Sequence, residues 1–205
     1  MKKNMYSLML SENVVAAVDA LAVRSGTSRS AMINSILAEY VSYRTPETRA
    51  RELLERMESL LAPELAVLPS QSGTQMMLRS ALEYKYNPAV NYSVRLYQQG
   101  DAIGELRVSL RTRNAALIEL LERFYLLWST LEGPSGGCTI EGERFTKLLR
   151  PAAPGGGWAD EEALGEAVVE YIRAFDRAMK AYFDGGAAPV RMIYAEYRRS
   201  APIIV

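Results

Sequence analysis

The chain has 205 residues, about half of them apolar, and its 24 basic and 24 acidic residues cancel to a net charge of zero. This composition is typical of a soluble globular protein and excludes a polycationic coat for nucleic acid. Histidine is absent and the only cysteine is Cys138. Zinc or nickel sites with imidazole ligands, Ser-His-Asp triads and disulfide frameworks are therefore excluded.

The sequence contains no candidate membrane segment. No apolar run approaches the roughly twenty residues that a membrane-spanning helix needs. Ser11, Glu12 and Asn13 interrupt any signal-peptide core near the start of the chain. We therefore expect a cytoplasmic protein without membrane contact.

Residues 5–10 alternate in the manner of an extended strand. One face of this strand carries Tyr6, Leu8 and Leu10, and the other carries Met5, Ser7 and Met9. Ser11 is a candidate N-cap for a helix that ends at Gly26, and Thr27 and Ser28 then provide a second N-cap. Apolar residues at helical spacing from Met32 to Val41 predict a second helix.

This strand, helix, glycine turn and helix resemble the ribbon-helix-helix DNA-binding family. The resemblance covers residues 3–44 and rests on three segments: the strand ending Leu8-Met9-Leu10, the helix opening Leu10-Ser11-Glu12-Asn13, and the turn Gly26-Thr27-Ser28-Arg29-Ser30. The remainder of the chain resembles no family that we can name. The resemblance implies that two chains pair their strands antiparallel and interlock their helices.

A physical argument also favours a dimer. One strand and two short helices have too little core to bury their own apolar residues, whereas two interlocked copies can bury them. The residues expected in the dimer core are Tyr6, Leu8, Leu10, Val14, Val18, Ile33 and Leu37.

The paired strands would form a ribbon that fits the major groove of B-DNA. The amide-rich start of the second helix would lie over a phosphate. The residues expected to contact DNA are Lys2, Lys3, Met5, Ser7, Met9, Thr27, Ser28 and Arg29. Because Met5 and Met9 offer bases only apolar contact, a second interpretation remains open: the module dimerises and its ribbon meets protein instead of DNA.

We expect three regions: residues 1–44 as the ribbon-helix-helix module, 45–62 as a connecting helix, and 63–205 as an α+β domain. Thr45-Pro46-Glu47 combines an N-cap, a first-turn proline and an acid, which predicts a helix start. That helix either sets the distance between module and domain or belongs to the domain as an ordinary amphipathic helix.

The sequence of the third region predicts a small antiparallel sheet with helices on one face. The whole chain is therefore expected to be mostly α with some β, which is the α+β class. The expected elements are a loop at 63–73, a helix at 74–84, a hairpin of strands at 90–97 and 106–111, a buried helix capped by Asn114, a short strand at 138–140, a short helix at 143–149, a long helix capped by Asp160 and a final strand at 190–197.

Candidate chemistry in the third region is sparse. The glycines at 133–137 lack the lysine of a phosphate loop, and Cys138 has no histidine to activate it. We therefore expect no catalytic residue, no metal and no cofactor. Two groups of residues suggest a pocket for a planar or anionic effector: Tyr84, Tyr86, Tyr92, Tyr97, Tyr194 and Tyr197 with Arg95, Arg107, Arg111 and Arg191. The simpler interpretation is that these residues suit half-buried strands.

The sequence thus predicts a dimeric, sequence-specific transcriptional regulator, a repressor, with double-stranded DNA as partner and higher oligomers on DNA. The alternatives are an antitoxin-like adaptor and a plasmid segregation or mobilisation adaptor, in which the C-terminal domain binds a partner protein. Whether that domain binds a protein or a small effector stays open, as does a purely structural dimer.

Overall fold

The computed structural model describes residues 7–41, 43–70, 72–84, 87–97, 102–150, 161–185 and 189–200. The chain divides into two compact units, Met1–Arg49 and Ala50–Val205, which we call the N-terminal unit and the body. The elements are α1 (Glu12–Arg24), α2 (Arg29–Tyr40), α3 (Pro46–Leu61), β1 (Ala66–Leu68), β2 (Gln75–Ala81), β3 (Ala89–Leu96), β4 (Gly104–Leu110), α4 (Ala115–Glu132), β5 (Cys138–Glu141), β6 (Arg144–Leu149), α5 (Glu161–Phe183) and α6 (Pro189–Ser200).

In the N-terminal unit both predicted helices are confirmed, but the side chain of Ser11, the predicted N-cap of α1, makes no capping hydrogen bond. Ser11 precedes α1 in an extended conformation, and Gly26 follows the helix with a φ of +60°, which glycine adopts without a steric penalty. The hydroxyl of Ser28 accepts a hydrogen bond from the backbone N–H of Ala31 at 3.3 Å, so it caps α2.

The segment before α1 has no regular secondary structure over residues 7–10. Met5 and Tyr6, which begin the predicted strand, lie outside the described residues. A strand whose only partner is a second copy has no hydrogen-bonding partner in a single chain. The paired ribbon therefore stays a prediction.

The body is of the α+β class, with a six-stranded antiparallel sheet in the order β1-β2-β3-β4-β6-β5. The predicted hairpin is confirmed as β3 and β4, in which Val94 lies opposite Leu106. The long helix expected after residue 160 is α5, and its predicted cap, Asp160, lies outside the described residues. Among the described residues, no helix combines the length and the apolar character that crossing a bilayer requires.

Two predicted helices in the body are strands. Residues 75–81 form β2 instead of part of a helix at 74–84, and residues 144–149 form β6 instead of a helix at 143–149. In β2, Met76 and Leu78 are buried while their neighbours Gln75 and Met77 are half-exposed, which is the alternation of a sheet with one covered face. Packing of that face outweighs the helix propensity of Met, Leu and Arg.

Two further predictions are wrong. The final strand expected at 190–197 is the helix α6, in which Ile193 is buried and Tyr197, one turn later, is half-buried. The loop expected at 63–73 contains the short strand β1, which pairs with β2.

The core of the body lies between one face of the sheet and its helices. The inward residues of β2, β3, β4 and β6 form one buried cluster with residues of α3, α4, α5 and α6. Phe175 of α5 is at its centre, with ring centroids of Phe124, Trp128 and Phe145 between 5.0 and 5.3 Å away. The prediction that the helix capped by Asn114 is buried is only partly correct: Leu121, Phe124 and Trp128 of α4 are fully buried, whereas Leu126 is 58% exposed.

Candidate nucleic-acid interface and buried polar clusters

The residues predicted for the dimer core are mostly uncovered in the single chain. Leu8 is 61% and Leu37 51% exposed, and Leu10 and Val14 are also classed as exposed. Val18 is buried and Ile33 is half-buried. Tyr6 lies outside the described residues. The N-terminal unit therefore presents several large apolar side chains to solvent on the segment before α1 and on both of its helices.

The turn predicted to hold a phosphate is already occupied in part by an internal ion pair. The guanidinium of Arg29 donates from Nε to Asp19 Oδ1 and from Nη2 to Asp19 Oδ2, both at 2.5 Å. This hydrogen bonding lowers the pKa of the Asp19 carboxyl and raises the pKa of Arg29. Arg29 still has exposed surface, but any phosphate would have to share it with Asp19.

The rest of the predicted DNA-contacting set is only partly described. Ser7, Met9, Thr27 and Ser28 are exposed, and the Ser28 hydroxyl serves as the cap of α2. Lys2, Lys3 and Met5 lie outside the described residues. The structure brings Thr27, Ser28 and Arg29 together at the N-terminus of α2, where the free backbone N–H groups and the helix dipole favour an anion.

In the body, a buried ion pair links the end of α4 to β6. Lys147 Nζ lies 2.5 Å from Glu132 Oε2, and the two side chains are 1% and 3% exposed. Lys147 Nζ also donates to the carbonyl of Gly136 at 3.3 Å. Because a buried charge without a partner is costly, these contacts make each ion depend on the other.

Two aromatic side chains complete this cluster. Tyr171 of α5 donates its hydroxyl hydrogen to Glu132 Oε1 at 2.5 Å, and Trp128 Nε1 donates to the Tyr171 oxygen at 2.7 Å. Burial, together with the nearby Glu132 carboxylate, raises the pKa of Tyr171 well above 10.0. We call Glu132, Lys147, Trp128 and Tyr171 the ionic cluster; it ties α4, β6 and α5 together.

Cys138 lies beside the ionic cluster, opposite Lys147 in the strand pairing. Its thiol donates to the carbonyl of Gly136 at 3.6 Å and is half-buried. Burial and the Glu132 carboxylate raise the pKa of Cys138 to about 11, although Lys147 opposes this. The thiol is therefore protonated at neutral pH, which makes it a weak nucleophile.

A second buried polar contact joins the sheet to α5. The hydroxyl of Tyr92 donates to Asp176 Oδ1 at 2.8 Å, and Lys180 Nζ lies 2.6 Å from Asp176 Oδ2. Burial is the main cause of a pKa for Tyr92 well above 10.0, and Asp176 adds to it. Both carboxylate oxygens of Asp176 thus have a partner.

Among the described residues, the tyrosines and arginines that suggested an effector pocket are divided between different parts of the body. Tyr92 is buried on the helix-covered face of the sheet, whereas Arg95 and Arg107 are exposed at strand positions of the opposite parity. The hydroxyl of Tyr97 donates to Glu105 at 2.9 Å, and Tyr194 lies on α6. Tyr86 lies outside the described residues. The simpler interpretation, tyrosines and arginines on a half-buried sheet, accounts for Tyr97, Arg95 and Arg107.

Sequence reasoning missed Glu132, Lys147 and Asp176. The available signals were weak: a lysine at an inward position of an alternating segment, and single acids within largely apolar helices. In the described ranges, no three histidine, cysteine, aspartate or glutamate side chains come together as a metal site would need. No protein-family model matches the chain, and no curated protein or solved structure is detectably similar to it.

Proposed function

We propose that this chain is a dimeric, sequence-specific DNA-binding transcriptional regulator that acts as a repressor. Two N-terminal units pair through the segment before α1 and place the resulting two-stranded ribbon in the major groove. The N-termini of the two α2 helices bind the DNA backbone on either side of the ribbon.

The observation that carries this proposal is the exposure of Leu8, Leu10, Val14 and Leu37 in a single chain. These side chains belong to the segment before α1 and to two helices of 13 and 12 residues, which are too small to bury them without help. A second copy of the same surface would remove them from water. Four of the residues expected in the dimer core are thus exposed to solvent in the single chain.

The position of the α2 N-terminus supports the DNA-binding part. The first backbone N–H groups of a helix have no acceptor within that helix. At α2 the Ser28 hydroxyl accepts from the N–H of Ala31, and Arg29 is the first residue of the helix. Such a site contacts phosphate without reading sequence, so specificity has to come from the ribbon residues, among them Ser7 and Met9.

Dimerisation is tested by measuring the mass of the full chain in solution as a function of concentration. We expect a dimer for the natural sequence. Leu37→Glu should raise the dimer dissociation constant by more than about tenfold, because it places a charge in an apolar interface. Leu126→Glu is the matched control: Leu126 has similar exposure but lies on α4 of the body, so the dimer should persist. A folded natural chain that stays monomeric at all concentrations contradicts the proposal.

DNA binding is tested by selecting bound sequences from random duplexes and then measuring affinity for the selected site at several salt concentrations. We expect one enriched, two-fold symmetric sequence and an affinity that falls as salt rises. Leu37→Glu should abolish binding and Leu126→Glu should preserve it. A dimer that enriches no sequence even at low salt would support the purely structural interpretation.

A further inference from the structure

Strand β1 occupies one edge of the six-stranded sheet and has one free side. It pairs with β2 through Ala66, Val67 and Leu68, and the topology places no described strand on its other side. Ala66 and Val67 are exposed and Leu68 is half-exposed. An edge with exposed apolar residues and no charged residue in the strand is a template for a further strand.

An open groove of about 460 Å³ adjoins this edge on the helix-covered side of the sheet. Val67 points to that side, because its partner in the pairing, Leu78, is buried in the core. Residues of α3 form the facing wall, with Leu54 as its apolar part and Arg51, Glu55 and Glu58 as its charged part. A strand added to β1 would direct every second side chain into this groove.

The groove lining has more acidic than basic side chains: Glu55 and Glu58 against Arg51. Arg51 lies 3.8 Å from Glu55, a loose ion pair between exposed side chains. Within the part of the chain that the structure describes, Glu58 forms no ion pair. Partial burial and the neighbouring Glu55 carboxylate raise the pKa of Glu58. The groove therefore has apolar surface from Leu54 and Val67 beside a carboxylate that lacks a cation.

We propose that β1 binds an extended peptide segment of a partner protein, which joins the sheet as an added strand. The segment is apolar at the positions that face the groove, except for one lysine or arginine, whose cationic group lies between Glu55 and Glu58. Backbone hydrogen bonds to the free edge provide affinity, and the groove selects the side chains, as in other cases of strand addition. This inference does not depend on DNA binding by the N-terminal unit.

The charge of the groove argues for a foreign segment over a second copy of β1. Ala66, Val67 and Leu68 contain no cation, so a β1 strand from a second copy would itself bring no cationic side chain to the Glu58 carboxylate. A basic and apolar segment satisfies the edge, the apolar floor and the carboxylates together.

The test uses the full chain and a synthetic probe, a nine-residue peptide, acetylated and amidated, of alternating valine and threonine with lysine at its centre. One control peptide has glutamate at the centre. Two further peptides carry N-methyl groups at alternate residues, one at the odd positions and the other at the even positions, and each methyl group removes a backbone hydrogen-bond donor. Binding is followed through the amide NMR signals of Ala66, Val67 and Leu68 at up to about 1 mM peptide.

We expect the lysine peptide to shift these three amides and to bind roughly tenfold more tightly than the glutamate peptide. One of the N-methylated peptides should lose binding. Glu58→Gln should weaken binding of the lysine peptide about two- to fivefold, as loss of a partly exposed ion pair does. Glu119→Gln, which removes an exposed glutamate on α4, should leave binding unchanged.

Three results would overturn the proposal: no shift of these amides with the lysine peptide, equal binding of both N-methylated peptides, or equal binding of the lysine and glutamate peptides. Concentration-dependent shifts at Ala66–Leu68 without any peptide would instead indicate self-association through β1, which also contradicts it. Because Glu58 is partly exposed, Glu58→Gln should fold normally, and its thermal unfolding is measured alongside.

Discussion

The two units of this chain differ in how completely each covers its own apolar residues. In the body, Phe124, Trp128 and Phe175 are fully buried in one cluster that the sheet and four helices supply. In the N-terminal unit, Leu8 and Leu37 are more than half exposed. Apolar burial is the main favourable term in folding, so a single chain supplies more of this term to the body than to the N-terminal unit. The most exposed large apolar side chain of the described residues, Met9 at 102%, lies in the N-terminal unit, although the body also exposes Leu126 at 58%.

The charged contacts of the two units differ in the same way. The N-terminal unit has an exposed bidentate pair, Arg29 with Asp19, whereas the body has the buried pair of Lys147 with Glu132. An exposed pair is screened by water and contributes little, while breaking a buried pair leaves an uncompensated charge. Substitutions in the two pairs should therefore differ greatly in their effect on stability.

The largest effect is expected from Lys147→Met. Methionine fills a similar volume but leaves the Glu132 carboxylate buried without its cation, so the free energy of unfolding should fall by about 3–5 kcal/mol. Tryptophan fluorescence during denaturant unfolding measures this for the body alone, since Trp128 and Trp158 are the only tryptophans and both follow residue 50.

The control is the double variant Lys147→Met with Glu132→Gln. Glutamine removes the buried charge and keeps an oxygen that can accept the hydrogen bonds that Glu132 Oε1 accepts from Tyr171 and, at 3.2 Å, from Trp128 Nε1. We expect the double variant to regain at least half of the lost stability. A double variant as unstable as Lys147→Met would mean that packing or the Gly136 contact, and not the unpaired charge, sets the cost.

The next effect in size is expected from Gly104→Ala, at the start of β4. A Cβ atom there would lie 2.2 Å from the backbone oxygen of Arg95 on the neighbouring strand, and a backbone atom cannot move aside without distorting the pairing. We expect a loss of about 1–3 kcal/mol in the free energy of unfolding. Gly73→Ala, where a Cβ meets nothing within 4 Å, should change stability by less than about 0.5 kcal/mol. Equal effects of the two substitutions would contradict the steric explanation.

Helix ends and the β3–β4 hairpin could be predicted from the sequence, because each depends on residues that are close together in the chain. Ser28, Asn114 and Gly26 mark helix ends through caps and backbone conformation, and the structure places helix ends at each of them. The hairpin of β3 and β4 was also predictable, because its apolar residues alternate without interruption. These features depend on residues close together in the sequence.

The elements that were predicted wrongly depend on contacts between residues that are far apart in the sequence. Lys147 occupies an inward position of β6, where a lysine hides the apolar alternation that indicates a strand. Its burial is explained by Glu132, which lies 15 residues earlier in the sequence and neutralises its charge. Residues 75–81 have good helix formers, and only pairing with β3 makes them a strand. The groove beside β1 could not be found from sequence, since it combines a helix and a strand edge that only the fold brings together.

Raising the pH should lower the free energy of unfolding of the body by a smaller amount than the substitutions above. Burial raises the pKa of Cys138 from 9.0 to about 11 and the pKa values of Tyr92 and Tyr171 well above 10.0. These groups are neutral in the folded body, so their contribution to stability is fully present below about pH 9. It is lost as pH rises from 9.0 toward 11 and beyond, because the unfolded chain releases these protons first.

The measurement is denaturant unfolding of the body by tryptophan fluorescence at pH 8, 9, 10 and 11. Cys138→Ala should make the decline in stability shallower between pH 9 and 11, and the part of the decline above pH 10 that comes from Tyr92 and Tyr171 should remain. A decline of unchanged slope in Cys138→Ala would contradict a role for this thiol.

The smallest effect on stability is expected from Asp19→Asn, because the pair with Arg29 is exposed. The lowered pKa of Asp19 makes its contribution present above about pH 3.8 and lost as pH falls through the folded value. The substitution should therefore leave the unfolding of the body unchanged at neutral pH. Its informative consequence is for DNA, since a released Arg29 could bind a phosphate at the N-terminus of α2.

On the proposed function, Asp19→Asn should tighten binding to the selected DNA site and steepen the decline of affinity with salt by about one counterion per N-terminal unit. Glu39→Gln is the matched control: it removes one negative charge from α2 without releasing Arg29. If Arg29 is the phosphate ligand, only Asp19→Asn should steepen the salt dependence, whereas an equal change in both variants would assign the gain to net charge. An unchanged salt slope in a variant that still binds DNA would remove Arg29 from the interface and leave the ribbon as the contact that carries binding.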